Sequence, residues 1–296
     1  MTEEQPGLDP AKPSNLRELF RRHGFHPRRS LGQTFLVDAN IVHKIVRAAQ
    51  LTGEEAVLEI GAGAGAVTRE LTKHARRVVA LEIDPSLIRI LHETVGEAAT
   101  IVQGDVLAVD WEDLLGSEGE GRWRVVANLP YAITGPAILR LLDMADWVDR
   151  LVIMVQQEVA DRLLASPGRR ARGLLSVLVE AACDMAEIGT VAPTCFRPRP
   201  QVQSTILALT VRRPPLVPSH LATSFRELVK GGFATRRKTL ANALSRAQGL
   251  ELSKEEAVSL LSQCHIDPRR RAEDLSADDF LCLTRTLEAA ATKGRP

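Results

Sequence analysis

Ala56-Val57-Leu58-Glu59-Ile60-Gly61-Ala62-Gly63-Ala64-Gly65-Ala66 reads as a short strand that runs directly into a stretch of alternating glycines. A helix of mixed polar and apolar residues follows. Glycines at that exit remove the side chains that would hold a ligand off the backbone. The helix start behind them offers N–H groups with no partner inside the helix. Strand, glycine turn and helix in that order predict an α/β sheet with its ligand at the carboxyl edge of the strands.

The neighbouring segments load the same edge. Residues 77–83 form a second strand ending in Glu82 and Ile83, 21 positions after Gly61, and Asp84-Pro85 opens the next helix. An acid at that tip is placed to bind both hydroxyls of a ribose. Residues 100–103 form a third strand, ending at Gly104-Asp105-Val106. Asp105 is placed to accept a hydrogen bond from an adenine amino group, with Val106 against the ring, or else it caps a turn. The fourth strand, 123–127, delivers Asn128-Leu129-Pro130-Tyr131. The Asn128 carboxamide oxygen and the Leu129 carbonyl suit the two hydrogens of an exocyclic NH2, and the Tyr131 ring suits the face of the heterocycle. Asn, Pro and Tyr are also ordinary turn formers, so the tetrad depends on the tips around it. Gly61, Gly63 and Ala66 satisfy the relaxed dinucleotide fingerprint as well, which leaves nicotinamide or flavin open beside S-adenosylmethionine.

Toward the amino end, a proline-rich tail of residues 1–14 precedes a helix near 15–23, a basic loop around 27–36, and a helix capped by Asp38. Beyond the tetrad, helix 134–143, strand 150–156 and helix 157–164 lead to a basic junction with Arg169, Arg170 and Arg172. Helix 174–182 and strands near 185–191 and 203–211 follow, the last two antiparallel because no crossover helix joins them. After Arg212-Arg213-Pro214-Pro215 strand patterns vanish, and helices are predicted near 221–231, 239–248, 253–263 and 277–290. Arg236-Arg237-Lys238 opens the second of these. Residues 15–213 are therefore expected to form the sheet domain and 214–296 a small helical domain.

Composition bounds the rest. The 296 residues are 45% apolar with a formal net charge of +1, so a nucleic-acid partner must be argued from charge placement. Four cysteines without a C-x-x-C pair and seven scattered histidines give no metal spacing. They are expected to be reduced thiols of a cytoplasmic protein. No run of about 18 apolar residues predicts a membrane span. The acidic, proline-rich amino end fits neither a secretory signal nor a transit peptide.

The residues now assembled resemble the rRNA adenine dimethyltransferase family, the KsgA type. The pieces, in order, are Leu31-Gly32-Gln33-Thr34-Phe35-Leu36, Glu59-Ile60-Gly61-Ala62-Gly63, Glu82-Ile83-Asp84, Gly104-Asp105, Asn128-Leu129-Pro130-Tyr131, Gln156-Gln157-Glu158-Val159, Phe196-Arg197-Pro198-Arg199-Pro200-Gln201-Val202 and Phe233-Ala234-Thr235-Arg236-Arg237-Lys238-Thr239-Leu240. The resemblance implies a Rossmann-like methyltransferase sheet, parallel with one antiparallel strand, and a helical carboxyl-terminal domain that docks rRNA. It implies S-adenosylmethionine-dependent dimethylation of N6 on two adjacent adenines near the 3′ end of 16S rRNA, linked to ribosome biogenesis, by a monomer. Gln33, Thr34, Leu36, Gly61, Gly63, Glu82, Ile83, Asp105, Val106 and Asn128 would line the cofactor. Asn128, Leu129, Pro130, Tyr131 and Phe196 would hold the flipped adenine, Phe196 covering its second face. Arg169, Arg170, Arg172, Arg236, Arg237 and Lys238 would meet RNA phosphates. The family usually has other residues at Thr34, Ala62, Ala132, Gln201 and Gln203, which puts cofactor contact by Thr34 and RNA docking at the last two in question. Methylation of large-subunit rRNA, and a ribosome-assembly factor with secondary methylation, are the alternatives.

Overall fold

The computed structural model describes residues 8–28, 31–116, 122–130, 133–235 and 237–293. In chain order its elements are α1 (Pro13–Arg22), β1 (Phe35–Leu36), α2 (Ala39–Ala49), β2 (Ala56–Ile60), α3 (Ala66–Leu71), β3 (Arg77–Glu82), α4 (Pro85–Val95), β4 (Thr100–Gln103), α5 (Trp111–Leu115), β5 (Trp123–Asn128), α6 (Thr134–Leu142), β6 (Val148–Gln156), α7 (Gln157–Leu163), α8 (Leu174–Ala182), β7 (Cys183–Val191), β8 (Phe196–Arg197), β9 (Ser204–Val211), α9 (Ala222–Phe233), α10 (Leu240–Leu244), α11 (Lys254–Gln263) and α12 (Ala277–Lys293).

Seven strands form one sheet in the order β4-β3-β2-β5-β6-β9-β7. Pairing is parallel from β4 through β6 and antiparallel between β6 and β9. The order turns back between β2 and β5, the place where parallel sheets open a crevice at their carboxyl ends. All five residues of β2 are buried, including Glu59, whereas edge strand β4 is largely half-exposed. Full burial of a Val or Leu contributes about 1.5–3 kcal/mol, so central strands need no alternation to be stable. Helix α2 lies over β5, β6 and β9, and α4 over β3 and β4. The Asp38 carboxylate accepts from the N–H groups of Asn40 and Ile41, the cap the sequence predicts.

Two compact units emerge. The first contains the described residues up to Ala160 together with Met185–Val211. The second contains Asp161–Asp184 and the residues from Arg212 onward. Asp161–Asp184, assigned on sequence to the sheet domain, clusters with the carboxyl-terminal helices. The reason is packing: α8 lies against α9 and α12, and the Arg172 guanidinium, inside this unit, is bound to Glu180 and to the Leu275 and Ala165 carbonyls.

Three local differences from the sequence reading stand out. Residues 111–115, for which no element is predicted above, form a one-turn helix because Asp110 accepts from the N–H groups of Glu112 and Asp113. Strands β1 and β8 pair as a two-residue antiparallel ladder, Leu36 opposite Phe196. Cys264 and Cys282 form a disulfide rather than two thiols, with Cα atoms 6.0 Å apart. The end of α11 meets α12 there, a proximity that their 18-residue separation does not reveal. Cys183 and Cys195 are free. No helix among the described residues is long and apolar enough to cross a membrane.

Candidate active site

The glycine turn after β2 is built from left-handed backbone. Gly61, Gly63 and Gly65 have φ of 75°, 59° and 87°, a region that only glycine enters without strain. The Gly61 N–H donates to the Leu81 carbonyl at 2.9 Å, tying the turn to β3. A Cβ at Gly61 would stand 3.1 Å from the Asn128 carbonyl oxygen, and one at Gly63 would stand 3.3 Å from the Phe35 ring. The turn is therefore in close contact with both the tip of β5 and the β1 segment.

Glu82, 6% exposed, uses one carboxylate oxygen to accept from the Gly63 N–H at 2.8 Å and the other to accept from the Asp84 N–H at 2.9 Å. Burial raises its pKa, and these backbone donors partly offset the rise. Each oxygen keeps lone-pair capacity for a further donor. Burial pushes the Asp84 carboxyl up too, but Arg28 and Gln33 outweigh it and hold the group below its usual range. The Arg28 guanidinium lies 2.5 Å from Asp84 Oδ2, and Gln33 Nε2 donates to the same oxygen at 2.6 Å. Gln33 Oε1 accepts from the Arg28 N–H at 2.8 Å. The Gln33 amide thus braces the basic loop against the start of α4.

One cleft, with about 1070 Å³ of non-atom space open to solvent, collects nearly every proposed cofactor and base contact. Gln33, Thr34, Leu36, Gly61, Gly63, Glu82, Ile83, Asp105, Val106, Asn128, Leu129 and Pro130 all line it. Ile83 is 52% exposed, unusual for a large apolar side chain, while Val106 is buried. Asp105 does act as a turn cap, accepting from the Leu107 N–H at 2.9 Å through Oδ1 alone. The Pro130 carbonyl is taken up by the Ile133 N–H and the Thr134 hydroxyl, both at 3.1 Å. Neither the Asn128 carboxamide nor the Leu129 carbonyl has a hydrogen-bond partner among the described residues. Tyr131 and Ala132 lie outside those residues.

The cleft adds a residue that the sequence reading left inside a motif. Glu59 on β2 lines it, is 4% exposed, and has no partner for Oε2. Burial pushes its carboxyl up to about 8; Thr68 lowers it and the nearby Glu82 charge raises it. An acid in an otherwise apolar strand was the available signal, because such a group is costly unless a ligand or partner uses it.

Two predicted contacts fall elsewhere. Phe196 is 1% exposed in the apolar core of the first unit, paired with Leu36, and does not line the cleft. It has no free face for a base. Arg172, 2% exposed, is committed to Glu180 and to two backbone carbonyls and cannot meet phosphate. Arg169, Arg170, Arg237 and Lys238 are exposed, whereas Arg236 lies outside the described residues.

Residues 24–289 match the family described as Ribosomal RNA adenine dimethylase. The chain is 42% identical over 275 residues to a Ribosomal RNA small subunit methyltransferase A of Geobacter metallireducens, spanning 92% of this chain and 100% of the relative. It is 43% identical over 286 residues to a protein of that name from Moorella thermoacetica, spanning 94% and 98%. Among solved structures it resembles a dimethyladenosine transferase from Plasmodium falciparum, with a TM-score of 0.75 at 24% identity over 86% of this chain and 98% of the other. It also resembles the 23S rRNA methyltransferase ErmE, with a TM-score of 0.66 at 24% identity over 86% and 99%. These two likenesses speak for the fold. The agreement over most of the chain, with motif residues meeting in one cleft, carries the assignment: the chain belongs to the ribosomal RNA adenine dimethylase family.

Proposed function

We propose that this rRNA adenine dimethyltransferase moves methyl groups from S-adenosylmethionine to N6 of two adjacent adenines near the 3′ end of 16S rRNA. It acts on the small ribosomal subunit or its precursor, in the cytoplasm and as a monomer. The supporting observation is the 3.1 Å approach between the Asn128 carbonyl oxygen and the Cβ position of Gly61, which makes the adenine-binding tip and the glycine cradle walls of one cleft. A side chain at Gly61 or Gly63 would crowd that cradle, and the exposed Ile83 offers a face for a heterocycle. These features fit S-adenosylmethionine better than a pyrophosphate cofactor.

When bound, S-adenosylmethionine supplies an electrophilic methyl carbon. Thr34, Leu36, Gly61, Gly63, Glu82, Ile83, Asp105 and Val106 hold the cofactor, and Gln33 acts by fixing the loop through Asp84. The Asn128 carboxamide oxygen and the Leu129 carbonyl accept the two hydrogens of the adenine amine, which favours a pyramidal nitrogen with its lone pair free to attack. Pro130 stiffens the turn, and Tyr131 stacks on the base. Flipping a base costs a few kcal/mol, and stacking returns about 1–3 kcal/mol per ring. No general base is needed beforehand, because the amine proton becomes acidic only as the N–C bond forms. Exposed Arg169, Arg170, Arg237 and Lys238 attract RNA phosphates.

Incubation with labelled S-adenosylmethionine and under-methylated small subunits tests this reading. Label in 16S rRNA adenines is expected. Label confined to large-subunit rRNA would move the substrate, and no label in either would end the catalytic reading.

A further inference from the structure

A second, solvent-open groove lies in the same unit, walled by α1, the turn after it, and Arg197-Pro198. Leu16 on α1 lines both this groove and the active-site cleft, so one helix separates the two. Its lining includes Arg17, Arg21, His26 and Arg197, and no acidic residue among the described residues. Arg21 is neutralised by Glu18, which accepts two hydrogen bonds from it at 2.7 and 2.8 Å. Arg197 instead donates to the Thr194 and Phe196 carbonyls, at 3.1 and 2.7 Å. Neutral acceptors fix the guanidinium in place and leave its charge available. Arg17 is exposed and has no ion-pair partner among the described residues.

The floor between these cations is apolar, with Leu16, Phe20 and Phe25 lining it. Phe20, Phe25 and Phe35 form a cluster with ring centroids 4.7–5.8 Å apart, two of the three pairs edge-to-face. Phe35 does not line the groove but packs behind Phe20 and Phe25 and meets Gly63 on its other side, so the groove's aromatic residues are backed by the cofactor turn. Unbalanced positive charge around an apolar floor is the chemistry of single-stranded nucleic acid: phosphates on the cations, base faces on the rings. A peptide or lipid surface has less use for both at once in a concave site beside a base-modifying cleft.

We infer that this groove takes the unpaired RNA strand next to the target adenine, Arg17 and Arg197 holding its phosphates while a flanking base lies on Phe20 and Pro198. The inference rests on the rRNA substrate argued above. It gives the basic segment around α1 a part in the substrate path, and it gives the flipped nucleotide a fixed neighbour on its own strand.

The test is binding of the full-length protein to a fluorescein-labelled, unmethylated oligoribonucleotide copying the target segment, measured across salt concentrations. Each single-strand phosphate contact contributes about 0.7 to the slope of log affinity against log salt. Arg17→Ala with Arg197→Ala is expected to weaken binding roughly tenfold and to reduce that slope by about 1.4, with S-adenosylmethionine affinity unchanged. Arg17→Glu alone, on an exposed helical face, should weaken binding without loss of thermal stability. Wild-type affinity and slope in both variants would overturn the groove assignment and leave the methyltransfer reading intact. A wild-type protein that binds the RNA but labels no rRNA in under-methylated small subunits would overturn methyltransfer, while the slopes still decide the groove.

Discussion

Asn128 concentrates the chemistry in one side chain. It sits half-buried at the end of β5, its carboxamide unclaimed among the described residues, beside a glycine whose Cβ would nearly touch its own carbonyl. An acceptor aimed at the adenine amine acts on the reacting nitrogen, not on the cofactor. Asn128→Ala should therefore lower kcat by roughly 10²–10³, the usual cost of losing one oriented polar group, with cofactor affinity nearly intact. Asn128→Asp keeps the acceptor and should retain much of the rate. Single-turnover methylation with calorimetric cofactor binding checks both; equal rates in the two variants would remove the hydrogen-bond role. The residue was legible in the sequence because a polar amide followed by proline ends an apolar strand. Glu59 was harder to read: its charge state depends on burial among strands from distant parts of the chain.

Elements decide how far such local signals reach. The turn between β2 and α3 was readable, since glycine spacing dictates positive φ wherever the fold lies. Gly61→Ala must put a side chain into left-handed backbone at a cost of about 1–2 kcal/mol, against a strand carbonyl that cannot move. A thermal midpoint lower by roughly 2–8 °C and weaker cofactor binding are expected by calorimetry. Helix α8 shows the opposite case. Arg172, in the loop before it, reads as part of a basic junction, yet it is buried, with its guanidinium on Glu180 and two backbone carbonyls. Arg172→Ala leaves the Leu275 and Ala165 carbonyls without their donor and takes one of two donors from the half-exposed Glu180 carboxylate, so urea unfolding should show a loss of about 1–3 kcal/mol. Unchanged stability with weaker RNA binding would instead return Arg172 to the RNA surface.

At the scale of the molecule, stability acquires a pH dependence from Glu59. Its carboxyl has a higher pKa folded, about 8, than the ordinary 4.5. The folded state therefore holds the proton more tightly, and this contribution is complete below about pH 4.5 and lost as pH rises through about 8. Glu59→Gln, permanently neutral, should flatten the fall in thermal midpoint across that window; an unchanged slope would assign it to other groups. Strand composition, capping residues and the four loaded tips are local properties, so the sequence by itself determined the α/β class, the cleft at the sheet edge and most of its lining. Only the tertiary structure decided that Phe196 is core, that Arg172 is internal, that Asp161–Asp184 joins the helical unit and that Cys264 bonds to Cys282. Each of those depends on which distant segments pack together, and burial of a side chain is set by its neighbours in space, which no short stretch of chain encodes alone.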